Sequence, residues 1–375
     1  RHRRLLITAG SGGVGKTTTA AALAVEATLM GRRTAVLTID PARRLANAIG
    51  LDELTGELRR VDPSLFCDAG LDASGELWAM MLDTKTTGDQ MVRRFAPDAA
   101  TAQRILDNTY YKYFSTSLSG AQEYMAIEQV RALVEEGGFD LVILDTPPAV
   151  HAMDFLEAPD RMLDALDSSA IQVLVKSQQV PDNLAGRLWG KGRGLVLRSL
   201  DRMTGGPSLE DLAEFLGVFA TILDALKTAS ERLKALLRAD DSRFCLVTTP
   251  KRSNVDEAMH FQGQLARRGF NFEGFIVNRV HMRYPDAGTG PEADAALLAA
   301  LAGLLPDTAP ADRAALLAGM RRAFTAHNNM ADRDARAISH LAGAAGKPLV
   351  RVPLMPLDVR DLAALHRVGR WLLKA

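Results

Sequence analysis

The chain has 375 residues, with 45 lysines and arginines against 45 aspartates and glutamates, so it can hold one large domain or two ordinary ones. The neutral balance argues against a nucleic-acid partner, and no uncharged apolar run approaches the roughly 18 residues of a membrane span. Its two cysteines, Cys67 and Cys245, stand far apart in strand-like runs; they fall short of a structural zinc site and fit a reducing, cytosolic setting.

In chain order, "RLLITAG" (4–10) reads as a strand, and Lys16 to Met30 as an alanine-rich helix closed by Gly31. Strand-length apolar runs follow at 34–40, 77–83, 139–145, 170–176, 243–249, 272–278 and 348–354. Several are apolar on both faces, the pattern of parallel strands covered by helices on each side. The expected fold is a doubly wound, mostly parallel α/β sheet forming a single domain over 1–375. Residues 84–136 and about 180–240 interrupt the alternation with helical periodicity and form helical insertions. In the second, Leu209, Leu212, Leu216, Phe219, Leu223 and Leu226 recur three or four apart. That stripe reads either as a helix buried in the core or as part of a subdomain with an apolar groove for a client segment. A third helical insert, Pro291 to Gly346, is rich in alanine and broken by Pro306 and Pro310, and the C-terminus packs through Leu362, Leu365, Val368 and Leu372.

Between the first strand and the first helix lies "GSGGVGKTTT", residues 10–19, which fits G-x-x-x-x-G-K-[ST]. Such a loop directs backbone N–H groups and a helix N-terminus at phosphates, and its glycines allow close approach. Gly12, Gly13, Val14, Gly15, Lys16, Thr17 and Thr18 are therefore expected to hold a nucleotide. Lys16 neutralises the outer phosphates, and the Thr17 hydroxyl takes a Mg²⁺ position. "LVILDTPPAVH" ends a strand in Asp145, a second metal carboxylate. "LTIDPARRL" ends another in Asp40, which can orient water near the terminal phosphate and belongs with the metal group. An aspartate at a strand end is otherwise a turn or cap residue; the nearby P-loop favours the metal role.

Together, "GSGGVGKTTT", "TIDPARRLANAIG" and "LDTPPAVHAMDFLEAP" closely resemble the phosphate loop and two switches of the arsenite-pump ATPase family. That family includes the targeting factor for tail-anchored membrane proteins and belongs to the deviant-Walker P-loop class. The order holds over the whole chain, through "VTTPKRSNVDEAMHFQGQL", "FIVNRV" and "VPLMPLDVRDLAAL". The resemblance implies ATP and ADP with Mg²⁺ as ligands, and Lys16 and Asp40 as catalytic residues. It makes Asp145 a second-switch carboxylate acting through water and His151 a switch residue; Asn278 would contact adenine, and Pro353 and Leu354 would line its pocket. It also implies a nucleotide-driven dimer and a client, either a hydrophobic helix or a membrane-protein or transport partner. Independently, Asn278, Arg279, Val280 and His281 lack the final carboxylate of the guanine-reading N-K-x-D, which favours ATP over GTP.

The chain departs from the family pattern in four places. Ser11 holds the place of the signature lysine, which in the family reaches across a dimer to the partner's phosphates. The first switch adds Arg43 and Arg44. The arsenite-binding thiols have no counterparts, and neither does the cysteine pair that joins the targeting factor's dimer through zinc. Three readings follow: a slow homodimeric ATPase, one half of a heterodimer whose lysine-bearing relative completes the site, or a site where Arg43 or Arg44 substitutes. The two arginines otherwise form a solvated helix face. A regulatory subunit of low turnover is the alternative function.

Overall fold

The computed structural model describes residues 4–39, 44–109, 111, 121–147, 149–167, 223–286, 288, 290–356 and 358–374. The expected strand at 170–176, most of the 180–240 insertion and Asp40 lie outside the described residues, as does the side chain of His151.

Among the described residues, eight strands form one sheet: β1 (Leu5–Ala9), β2 (Arg33–Thr38), β3 (Arg59–Arg60), β4 (Glu76–Met81), β5 (Leu141–Asp145), β6 (Ser242–Thr248), β7 (Phe272–Val280) and β8 (Leu349–Pro353). Their order is β3-β4-β2-β5-β1-β6-β7-β8, and every pairing is parallel except β3 with β4. β3 escapes sequence reading because it is two exposed arginines with no apolar face.

Side chains alternate across the sheet with the period of two that strands impose. Leu5, Ile7, Leu37, Val142 and Leu144 enter one apolar layer, while Val36, Ile143 and Val247 enter the other. The first layer is covered by α4 (Thr84–Phe95), α5 (Ala99–Asp107), α6 (Ala121–Glu136), α7 (Ala149–Asp167), α8 (Leu223–Arg238) and α9 (Arg252–Arg267). The second is covered by α1 (Lys16–Leu29), α2 (Arg44–Ala48), α3 (Pro63–Asp68) and α12 (Leu362–Leu372). α10 (Pro291–Leu304) lies against α11 (Pro310–Ala345), whose C-terminal half packs on α9 and β7 through Ile338 and Leu341. Leu226 of the periodic stripe is buried, and it belongs to the first apolar layer.

One reading needs correction. Cys67 lies in α3, exposed, rather than in a strand: the Asp62 carboxylate accepts from Ser64 N at 2.9 Å and Pro63 supplies a preset first turn, so "PSLFCD" starts a helix. Cys245 does lie in β6. The third insert is broken where Pro306 and Pro310 stand, as expected: α10 ends at Leu304 and Pro310 opens α11 at its first turn, where its missing N–H has no helical partner to lose.

The C-terminus packs through Leu362, Leu365, Val368 and Leu372 as expected, all of them buried at roughly 1.5–3 kcal/mol for each such side chain, and the structure shows that α12 docks on α1. The approach is close. A Cβ on Gly369 would meet Glu26 Cγ at 2.3 Å, and His366 Nδ1 lies 2.7 Å from Glu26 Oε1. The helix behind the glycine-rich loop is thereby clamped between the sheet and the C-terminal helix.

Candidate nucleotide site

Parallel pairing sets the register of the site. Thr8 of β1 and Thr38 of β2 both stand opposite Asp145 of β5, so three strand ends meet at one edge of the sheet. Ligands of open α/β sheets bind beyond this edge, where the strand order reverses. At Gly10 the chain leaves β1 so near β6 that a Cβ would lie 2.0 Å from the Val247 carbonyl oxygen.

The loop then turns back into α1 through Gly13 and Gly15, at φ +73° and +98°. These are left-handed conformations that glycine takes without a Cβ clash. No side chain caps α1, so its first-turn N–H groups are not spent on a capping carboxylate or hydroxyl. A Cβ on Gly12 or Gly13 would meet nothing within 4 Å, which shows open space in front of the loop.

Lys16 is 8% exposed, and its ammonium donates to the carbonyl oxygens of Gly10 and Ser11, each at 3.0 Å. The charge is thus held at the mouth of the loop by its own backbone. The Thr17 hydroxyl donates to Asp145 Oδ2 at 2.6 Å, closing a contact across 128 positions. Thr38 Oγ1 donates to the same oxygen at 3.1 Å. Thr38 was missed by sequence reading; its only signal was its place at the end of a strand beside Asp40.

These residues open onto a cavity of about 1290 Å³ whose walls include Lys16, Thr17, Thr18, Asp145, Asn278, Pro353 and Leu354. Gly12, Gly13 and Gly15 line it as well, whereas the Val14 side chain is buried beneath the loop, so any part it takes is through its backbone. Asn278 reaches the loop directly: its Nδ2 donates to the Val14 carbonyl at 2.9 Å, and a Cβ on Gly15 would lie 2.3 Å from that nitrogen. His281 turns away, and both its backbone N and its Nδ1 lie 2.8 Å from Asp334 Oδ2 on α11. Ser11, in the loop between β1 and α1, is 7% exposed. Arg44 is exposed, lines the cavity and opens α2; Arg43 lies outside the described residues.

The donor set suits a hard divalent cation. The Thr17 hydroxyl and the Asp145 carboxylate, 2.6 Å apart, are oxygen donors of the kind Mg²⁺ prefers and would hold it beside Lys16. A strand, a glycine loop with an uncapped helix behind it, and a carboxylate on the neighbouring strand define a P-loop nucleoside triphosphatase.

The comparisons narrow the class. The sequence model of the anion-transporting ATPases (ArsA_ATPase) matches residues 3–287, most of the chain, which therefore belongs to that family of ATPases. It is similar to "ATPase ASNA1 homolog" of Dictyostelium discoideum, 26% identical over 273 residues, covering 72% of this chain and 70% of the relative. It is also similar to "ATPase get3" of Neurospora crassa, 24% identical over 294 residues, covering 78% and 77%. "ATPase GET3C" of Arabidopsis thaliana is 24% identical over 286 residues, covering 74% and 67%. No helix among the described residues is long and apolar enough to cross a membrane.

Proposed function

We propose that this chain is a Mg²⁺-dependent ATPase of one P-loop domain that couples nucleotide turnover to a dimer cycle handling a hydrophobic client helix or membrane-protein partner. The observation that carries the nucleotide reading is the 2.6 Å contact between Thr17 and Asp145, which joins loop and carboxylate at one edge of the sheet. In this reading the loop N–H groups and Lys16 bind the β- and γ-phosphates, and Thr17 and Asp145 hold Mg²⁺, the carboxylate through water. When bound, Mg²⁺ supplies charge neutralisation between the phosphates. Asp40 orients the attacking water, Asn278, Pro353 and Leu354 receive adenine, and His151 follows the switch. The client reading rests on the family resemblance and on the helical periodicity of the sequence over 84–136 and 180–240. Cytosolic placement belongs to the same reading.

Titration calorimetry tests it. ATP and ADP are expected to bind only with Mg²⁺ at useful strength, and GTP much more weakly, because the Asn278 segment offers no carboxylate to a guanine. Equal affinity for GTP and ATP removes the adenine assignment.

A second reading, a low-turnover subunit paired with a lysine-bearing relative, is favoured by one observation: Ser11 is short and buried. It cannot neutralise phosphates across an interface, a contribution that can dominate phosphoryl transfer. The protein alone is expected to bind ATP and turn it over slowly, and a relative with the lysine, or Ser11→Lys in this chain, to raise the steady-state rate. If neither does so, the missing lysine is not what limits turnover.

A further inference from the structure

At Asn278 the sheet carries an irregularity that the P-loop chemistry does not account for. The β7–β8 ladder pairs Val277 with Arg351 and resumes at Val280 with Pro353, so two residues of β7 face one of β8. Such a one-residue bulge re-aims side chains beside functional sites. Here the extra residue is Arg279, whose φ of +60° makes it the only non-glycine with positive φ among the described residues. A bulge in this conformation favours glycine, and a long β-carbon-bearing side chain there is a strain that other interactions must outweigh. The local fold holds it in place: Arg279 N donates to Asn278 Oδ1 at 2.9 Å, Asn278 Nδ2 is fixed on Val14, and Leu354 N donates to Val280 O at 3.0 Å.

The side chain does nothing for the fold. Arg279 is exposed, and its guanidinium makes no hydrogen bond or ion pair among the described residues. It lines the cavity beside Asn278, with Pro353, Leu354 and Met355 on the neighbouring strand end. A planar, weakly hydrated cation next to an apolar wall suits the face of a flat aromatic ring better than it suits phosphate. We infer that Arg279 is a nucleotide-binding residue that stacks its guanidinium on the base, and that the strained bulge is kept to aim it there. The inference rests on the ATP reading. Stacking is indifferent to base identity, so Arg279 contributes retention while Asn278 contributes selection.

Calorimetric titration of the whole chain with MgADP, MgGDP and tripolyphosphate tests this, comparing wild type with Arg279→Gly and Arg279→Asn. Both replacements tolerate the left-handed backbone and both lack the cation. MgADP affinity is expected to fall roughly 3- to 30-fold in both variants, and any MgGDP affinity by the same factor, with tripolyphosphate unchanged. The thermal midpoint of the nucleotide-free protein is expected not to fall, since the conformational strain is relieved. Unchanged MgADP affinity in both variants overturns the inference while leaving the ATPase reading intact. An equal loss for tripolyphosphate overturns it too, by making Arg279 a phosphate contact. A wild-type protein that binds no adenine nucleotide overturns the ATPase reading and this one with it.

Discussion

Lys16→Ala is expected to weaken ATP binding by about 100-fold, the scale of losing a charge-assisted contact. The lysine is nearly buried and held by two carbonyl oxygens of the loop, so its ammonium waits where the outer phosphates must come. Binding replaces those two neutral acceptors with anionic ones, and the difference between the two sets is the affinity gained. The removal leaves the Gly10 and Ser11 carbonyls short of a donor at a solvent-lined mouth, which costs little stability because water replaces it. Calorimetry for ATP and a thermal melt of the nucleotide-free protein separate the two effects. ATP affinity within threefold of wild type would mean that the ammonium does not face the phosphates.

Gly10→Ala is expected to destabilise the fold by more than about 3 kcal/mol, in the range reserved for overpacked or strained sites. Its Cβ would sit 2.0 Å from a backbone oxygen of β6, and a central strand cannot retreat as a flexible side chain can. Relief requires β1 and β6 to separate where the loop begins, so nucleotide binding should fail along with stability. Gly12→Ala is the control: its Cβ has nothing within 4 Å, and the fold should tolerate it. Denaturant unfolding of the two variants decides the matter. Similar stabilities would show that the loop is not seated on β6 as described.

The contrast between these glycines shows where sequence reading stops. The eight residues from Gly10 to Thr17 match one local pattern, and its glycines say only that the backbone must come close to something. What Gly10 approaches is a strand more than 230 positions away, and what Gly15 approaches is the amide of Asn278. Pairing between distant strands decides both. Cys67 is a different, local case: four apolar or small residues carry no period, and the Asp62 cap and Pro63 just before them decide for helix.

The sequence by itself determined the P-loop frame, the alternation of seven of the described strands with helices, Asp145 at a strand end, and the family. Each is written in short runs whose geometry is local: glycines at fixed spacing, alternating apolar residues, a carboxylate closing an apolar run. Only the tertiary structure decided that Thr38 shares a carboxylate oxygen with Thr17, that Asn278 ties the bulge to the loop, and that His281 faces Asp334 on α11. These contacts join segments tens to hundreds of residues apart. Their register follows from parallel strand pairing and from one extra residue in β7, and neither leaves a mark in the local pattern of side chains.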